Sequence, residues 1–216
     1  MNSLIGILSL FSTFAATSYA LWCAQCVAFG TSTCTGNTMI CPSGQVCGTS
    51  YLEIDVGGTM NKTVVRSCAL SSECGFIGSM TIQQVQYRMG ISCCRYDDCT
   101  PFTPIPPSPN YSKNGVVCRT CISATSTWCY TSDTMQCTGN ETMCALQTSK
   151  ITGSNPVSMA IRGCATQSIC DLGSQSQNMA GVSASVKNIC TNGGLSVHKV
   201  LLTPAIVCLL LLKLFF

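Results

Sequence analysis

The chain has 216 residues, of which 9% are charged and 19 are cysteine, and its formal net charge is +3. So small a positive charge argues against a basic nucleic-acid-binding face. Apolar runs at the two ends leave about 170 residues between them, too few for a large enzyme core but enough for two small domains.

Residues 1–20 have the features of a secretory signal peptide. An apolar stretch runs from Leu4 to Ala16, and the small residues Ser18 and Ala20 precede the expected cleavage site. A run of this length is too short to span a bilayer. We therefore expect the mature chain to begin at Leu21, in an oxidising compartment where disulfides form.

The cysteines define an internal repeat. Of the 19, 18 lie between Cys23 and Cys190, and this even number indicates nine disulfides. Successive gaps are 3, 8, 7, 6, 21, 6 and 19 residues from Cys23, and 3, 8, 8, 7, 20, 6 and 20 residues from Cys118. This agreement predicts a first module over residues 21–100 and a second over residues 118–192.

A β-hairpin is predicted in the longest cysteine gap of each module. Residues 51–56 and 63–69 flank a turn at Gly57-Gly58, and residues 145–151 and 157–165 flank a second turn. β-branched residues on both sides of a glycine-rich turn favour strands. With few large aromatic side chains, each module must gain much of its stability from disulfides, worth about 2–4 kcal/mol each.

The segment between the modules, residues 101–117, holds five of the eight prolines and is predicted to be an extended, semi-rigid linker.

The C-terminal end has the order of a glycosylphosphatidylinositol (GPI) signal: small residues, a polar spacer and an apolar run from Val200 to Phe216. Asn192 is the preferred attachment residue because two small residues follow it, with Gly193 next. Residues 193–216 would then be a propeptide that is removed, together with the odd cysteine, Cys208. The alternative is a transmembrane helix, but the apolar run is short and is interrupted by a proline and a lysine.

The motifs LWCAQC at the start of the first module, CPSGQVC before its hairpin and CCRYDDC at its end form a specific pattern. With them the chain resembles the lymphocyte-antigen-6/urokinase-receptor (LU) family. The resemblance covers Leu21 to Cys190 and implies a small, disulfide-rich, all-β fold of two tandem three-finger domains. It also implies these disulfides: Cys23–Cys47, Cys26–Cys34, Cys41–Cys68, Cys74–Cys93, Cys94–Cys99, Cys118–Cys144, Cys121–Cys129, Cys137–Cys164 and Cys170–Cys190.

The chain departs from the family pattern in two places. Thr100 stands where the family has asparagine after the last cysteine of a module, and the second module stops at Cys190, without the last disulfide loop. Asp97 occupies the position of the family's near-invariant acid, so we expect it to form a structural hydrogen bond. Asp98 beside it is expected to lie on a solvated turn.

The residue types argue against catalysis and metal binding. The single histidine, His198, lies in the predicted propeptide, so a Ser-His-Asp or Cys-His device is not available. The C-x-x-C pairs Cys23/Cys26 and Cys118/Cys121 could form half of a zinc site or a redox pair, but a secreted chain with paired cysteines favours disulfides. We predict no enzyme, no cofactor and no metal.

Three N-x-S/T sequons, at Asn61, Asn110 and Asn140, lie in predicted turns or loops and are candidate glycosylation sites. Several apolar residues on the predicted finger strands either form a partner-binding face or fill the core and support the neighbouring module: Tyr51, Leu52, Ile54, Met80, Ile82, Val85 and Tyr87.

Two functions remain open. The first is a GPI-anchored module on the outer face of the plasma membrane that binds an extracellular or cell-surface protein. The second is a secreted inhibitor of an extracellular enzyme such as phospholipase A₂, because two-module members of the family include such inhibitors.

Overall fold

A computed structural model of the chain describes residues 20–153, 156–179 and 182–192. The predicted signal peptide up to residue 19 and the predicted propeptide lie outside the described residues, and so do His198 and Cys208.

Strands make up most of the described residues, as the all-β prediction requires. The first module contains β1 (Trp22–Ala24), β2 (Cys26–Phe29), β3 (Thr38–Ile40), β4 (Gln45–Val56), β5 (Thr59–Leu70), β6 (Ile77–Ile82) and β7 (Val85–Cys94). The second contains β8 (Lys113–Arg119), β9 (Cys121–Ser123), β10 (Thr134–Thr138), β11 (Met143–Thr152), β12 (Val157–Ala165), β13 (Ser174–Met179) and β14 (Val182–Asn192). A 3₁₀ turn (Ser71–Glu73) and a short helix, α1 (Gln167–Asp171), follow the two long hairpins. Among the described residues, no helix has the length and apolar character needed to cross a membrane.

The two predicted hairpins are confirmed. Strands β4 and β5 pair from Val56↔Thr59 outward, around a two-residue turn. Gly57 and Gly58 adopt φ angles of 59° and 92°, the left-handed region that a tight hairpin turn of this kind demands. Strands β11 and β12 form the equivalent hairpin of the second module.

One sheet of ten strands runs through both modules. Its order is β13-β14-β11-β12-β6-β7-β4-β5-β2, and β9 pairs with β12 beside this path. The modules join where β6 pairs with β12, with Thr81 opposite Cys164 and Met80 opposite Ala165. The two modules therefore share backbone hydrogen bonds and do not meet through side chains alone.

Side chains alternate between the two faces of this sheet, because successive residues of a strand point to opposite sides. We call one side the groove face; it carries Leu52, Met80, Met89, Met159 and Ile161. We call the other the linker face; it carries Glu53, Thr81, Arg88, Leu146 and Arg162. The registers of β4, β7, β6, β12 and β11 place these residues in two consistent sets.

The described residues contain nine disulfides, and each is one of the pairs that the family resemblance implies. They form much of the core at the base of the fingers, where Cys23, Cys41, Cys47 and Cys99 are almost fully buried. Cross-links here replace the large apolar core that modules of this size lack.

Asp97 ties the end of the first module to its beginning, as expected. Its Oδ1 accepts a hydrogen bond of 3.0 Å from the Trp22 backbone N–H. The backbone N–H of Asp98 donates to the Trp22 carbonyl at 2.9 Å. The Asp97 side chain and the Asp98 backbone therefore both hold the end of the module against its first strand.

The linker is not a free spacer. Residues 101–112 have no regular secondary structure but lie along the linker face of the first module, with Pro101 and Pro104 buried. Hydrogen bonds join it to that module at five points: Thr49 with Pro101, Ser92 with Phe102, Ser32 with Thr103, Arg88 with Pro107, and Asp55 with Tyr111.

Two local features explain this docking. A Cβ on Gly90 would lie only 2.9 Å from the Cβ of Pro104, so the glycine makes room for the linker. Residues 113–117, which the sequence places in the linker, instead begin strand β8, because they pair with β10 of the second module.

Candidate functional site

A buried carboxylate lies at the seam between the modules. Glu141, just before β11, is 2% exposed, and its Oε1 accepts hydrogen bonds from Ser79 Oγ at 2.8 Å and Thr81 Oγ1 at 2.9 Å. Both donors belong to β6 of the first module. The Glu141 side chain therefore links the two modules. The polar sequence around Glu141 gives no indication of this role.

Burial raises the pKa of Glu141, and the hydrogen bonds from Thr81 and Ser79 offset only part of this effect. Its Oε2 is buried and has no hydrogen-bond partner among the described residues. The ionised form is therefore less well compensated than it is in water.

Backbone contacts complete the seam. The backbone N–H of Thr166 donates to the Ser79 carbonyl at 2.9 Å, and Thr166 Oγ1 accepts from the Ser79 N–H at 3.1 Å. The Gln83 N–H donates to Thr120 Oγ1 at 3.0 Å. A Cβ on Gly163 would come within 2.0 Å of the Thr81 carbonyl oxygen, so only glycine permits this approach.

An apolar groove of about 270 Å³ opens on the groove face directly above the seam. Both modules line it, with these residues: Leu52, Met80, Tyr87, Met89, Ile122, Gln147, Met159, Ile161 and Ile169. Its floor is the largest apolar cluster of the described residues, in which Met80 and Ile82 of the first module pack with Ile161 and Ile169 of the second.

The lining of the groove suits the binding of apolar side chains. Met89 and Met159, which are partly buried, supply flexible thioethers that adapt to the shape of a ligand. The amide of Gln147 donates to Asn188 at 2.9 Å and is already paired. The groove thus offers hydrophobic contact, and none of the described side chains that line it is charged.

The structure shows how far the apolar finger residues that the sequence left open are buried, with Ile54 and Val85 partly buried. Tyr51, Met80 and Ile82 are buried, and Met80 and Ile82 support the neighbouring module. Leu52 and Tyr87 are partly buried and line the groove, so they combine packing with an accessible surface.

The three sequon asparagines are exposed but do not lie on one face. Asn110 and Asn140 border a depression on the linker face, beside Arg88 and Glu141. Asn61 pairs with Ile54 in the β4–β5 hairpin. Ile54 lies two residues nearer the turn than Leu52 and on the same side of the sheet, so Asn61 is also on the groove face. Glycans on Asn110 and Asn140 would leave the groove open, whereas one on Asn61 would stand at its edge.

Sulfur atoms of several cysteines lie within 4.8 Å of one another, in these groups: Cys23, Cys41 and Cys68; Cys47, Cys94 and Cys99; and Cys118, Cys137 and Cys164. Every one of these sulfurs is bonded in a disulfide, so none is a thiolate that could bind a metal. The clusters are stacked cross-links.

Sequence reasoning did not identify Glu141 or Gly163. The repeat itself points to Gly163. The segment RSCALSSEC of the first module aligns with RGCATQSIC of the second module, and a glycine, Gly163, there replaces Ser67. Glu141 has no such signal, because it stands within a sequon, in a segment that reads as an exposed loop.

Comparisons with known proteins agree with the two-module architecture. A family model described as the u-PAR/Ly-6 domain matches residues 19–102 and again residues 114–198. Phospholipase A2 inhibitor NAI of Notechis ater is 28% identical over 169 residues, which cover 76% of this chain and 82% of the relative. A gamma-type chain of the phospholipase A2 inhibitor of Elaphe climacophora is 28% identical over 164 residues, which cover 74% of this chain and 82% of the relative.

Among solved structures, the crystal structure of mouse TEX101 is 17% identical, with a TM-score of 0.35, and the match covers 79% of this chain and 99% of that chain.

Proposed function

Because the chain belongs to the u-PAR/Ly-6 domain family, with two domains in tandem, we propose that it is an extracellular protein-binding module. Its partner binds in the apolar groove between the modules, and a GPI lipid at Asn192 holds it on the outer face of the plasma membrane. The observation that carries the binding proposal is the methionine-lined groove to which both modules contribute.

Three features support this site. Partly buried apolar residues of both modules meet there, and an apolar patch of this kind favours protein association. The seam beneath it is fixed by strand pairing, so the groove is preorganised and loses little conformational entropy on binding. The sequons at Asn110 and Asn140 lie on the opposite face, where glycans do not obstruct a partner.

The binding proposal is tested with multimers of the purified protein, applied to a panel of cells and extracellular fluids. We expect Met89→Gln combined with Met159→Gln to lower binding at least tenfold, because both changes put an amide into an apolar contact. Ile105→Gln is the matched control, since Ile105 is 83% exposed and lies in the linker, on the other face. Equal binding by both variants would place the partner elsewhere.

The anchor is tested separately, on protein made by its own cells. Phosphatidylinositol-specific phospholipase C should release it from the cell surface, and mass spectrometry should find a C-terminal peptide that ends at Asn192 and carries a glycan remnant. A peptide that retains the apolar tail to Phe216 would instead identify a transmembrane protein.

The second candidate function is inhibition of a secreted phospholipase A₂. It is supported by the two relatives above, both of which are named as inhibitors of that enzyme. Titration of the purified protein against a panel of secreted phospholipases A₂ separates the two proposals. Inhibition at submicromolar protein would favour this one, and unchanged activity at micromolar protein would remove it.

A further inference from the structure

The second module has a pocket of about 420 Å³ on the linker face, next to the last described residue. Its wall includes Arg119, Trp128, Leu146, Arg162, Ile189 and Asn192. Arg162, Leu146 and Ile189 stand side by side on β12, β11 and β14, so the sheet forms its floor. Two guanidinium groups line it, and none of the described lining residues is acidic.

The guanidinium of Arg162 differs from its counterpart in the first module. The aligned residue, Arg66, donates hydrogen bonds to the Cys34 carbonyl and to Thr33 Oγ1, so it is engaged within its own module. In the second module Trp128 replaces Thr33, and Arg162 stacks on the indole with its Cζ 4.3 Å from the ring centroid. The stacking leaves the in-plane N–H groups of Arg162 without a protein acceptor among the described residues.

Two further observations indicate that this pocket takes an anion. The Arg162 Nε is buried with no hydrogen-bond partner among the described residues, as are the Nε atoms of Arg66 and Arg88, but Arg162, unlike Arg88, faces a pocket whose described wall has no carboxylate, so an anion there would satisfy it. Arg119 lies 5.4 Å from the Tyr130 ring centroid and donates to the Thr131 carbonyl at 2.7 Å. Both arginines are thus held in place by aromatic rings, as in sites that recognise phosphate.

We propose that this pocket binds the phosphodiester of the ethanolamine phosphate that joins a GPI anchor to Asn192. The inference rests on the anchor proposed above. In that linkage the Asn192 carbonyl forms an amide with ethanolamine, whose oxygen carries the phosphodiester, so the first negative charge of the anchor is a few bonds from the pocket wall. The paired guanidinium groups hold that charge, which fixes the sheet at a set angle to the anchor glycan.

The test uses the full chain, processed by mammalian cells and released by phosphatidylinositol-specific phospholipase C, because the released protein keeps the ethanolamine phosphate. Its ³¹P NMR spectrum is compared with that of the same sample after complete proteolysis. We expect the phosphodiester resonance of the intact protein to be displaced by more than its line width from the digested reference. The inositol phosphate that the lipase leaves at the far end of the glycan should not move.

Variants and dilution identify the cause of the displacement. Arg162→Gln should abolish it, whereas Lys150→Gln, which removes a charge from an exposed side chain of the same module, should not. The displacement should be independent of protein concentration, because the phosphodiester belongs to the same chain; a displacement that vanishes on dilution would mean binding between molecules and would overturn the proposal.

Two other results would also overturn it, and they are distinguishable. Coincident phosphodiester resonances before and after digestion, in a protein whose C-terminal peptide carries the anchor remnant, would reject this site alone. A C-terminal peptide without ethanolamine phosphate would reject both the site and the anchor. The comparison of intact and digested wild-type protein needs no variant, so misfolding of Arg162→Gln would not prevent a decision.

Discussion

Glu141 places a carboxylate where solvent is excluded, and the two modules meet around it. Its hydrogen bonds to Ser79 and Thr81 give the seam polar specificity, while burial makes the ionised form costly. Protonation of the Glu141 carboxyl is therefore coupled to the stability of the contact between the modules.

This coupling has a definite sign. Since burial raises the pKa of Glu141 in the folded protein, the folded state keeps a proton that the unfolded chain has already released, over the interval between the ordinary and the raised pKa. The contribution of Glu141 to the free energy of unfolding therefore falls as pH rises through that interval and is constant above it.

We predict that Glu141→Gln removes this pH dependence and raises the free energy of unfolding near neutral pH by about 1 kcal/mol, because the amide carries no charge. The variant keeps the sequon at Asn140. The measurement is chemical denaturation of both proteins from acid to neutral pH, and the difference between them isolates this carboxylate from the others. A constant difference across the whole range would show that Glu141 does not titrate there.

At the scale of the elements, the linker acts as a strap along the first module. Arg88 is central to it: it is 4% exposed, forms an ion pair with Glu53 at 3.0 Å and donates to the Pro107 carbonyl at 3.0 Å. Tyr111 secures the far end through its hydrogen bond to Asp55, which raises the pKa of the tyrosine.

We predict that Arg88→Met lowers the free energy of unfolding by about 3 kcal/mol, because it leaves Glu53 without its partner in a largely buried position. It should also expose the linker to chymotrypsin, which cleaves after residues such as Phe102 and Tyr111. Arg95→Met, at an exposed position of the same module, should change neither property. Equal proteolysis of both variants would mean that the strap is held by its other contacts.

The elements differ in how far the sequence predicts them. The long hairpins follow from β-branched residues on either side of glycine-rich turns, and the nine disulfides agree with the pairing of a known family. The docking of the linker does not follow, because prolines indicate an extended chain but not the surface that it covers. The same limit applies to Glu141: its burial depends on how β6 approaches the second module, a long-range contact that no local pattern encodes.

For the whole molecule, the decisive feature is that one sheet passes through both modules. Its weakest point is the join between β6 and β12, where only Thr81↔Cys164 and Met80↔Ala165 pair. Glu141, the close approach at Gly163 and the apolar cluster beneath the groove reinforce that join. The two modules are therefore expected to unfold together.

We predict that Gly163→Ala disrupts this cooperativity. The added methyl group would collide with the Thr81 carbonyl oxygen, lowering the free energy of unfolding by about 1–3 kcal/mol and splitting one calorimetric transition into two. Ser67→Ala, at the equivalent position of the first module, should retain a single transition. A single transition in Gly163→Ala as well would show that the other seam contacts suffice.

The course of strand β14 has a mechanical consequence. Strand β14 runs without interruption to Asn192, paired with β11 along its length and bonded through Cys190 to Cys170. A tensile force applied at Asn192 therefore pulls along the strand, and its many hydrogen bonds to β11 are loaded in shear together. The disulfide, two residues from that end, prevents the strand from being peeled away one bond at a time.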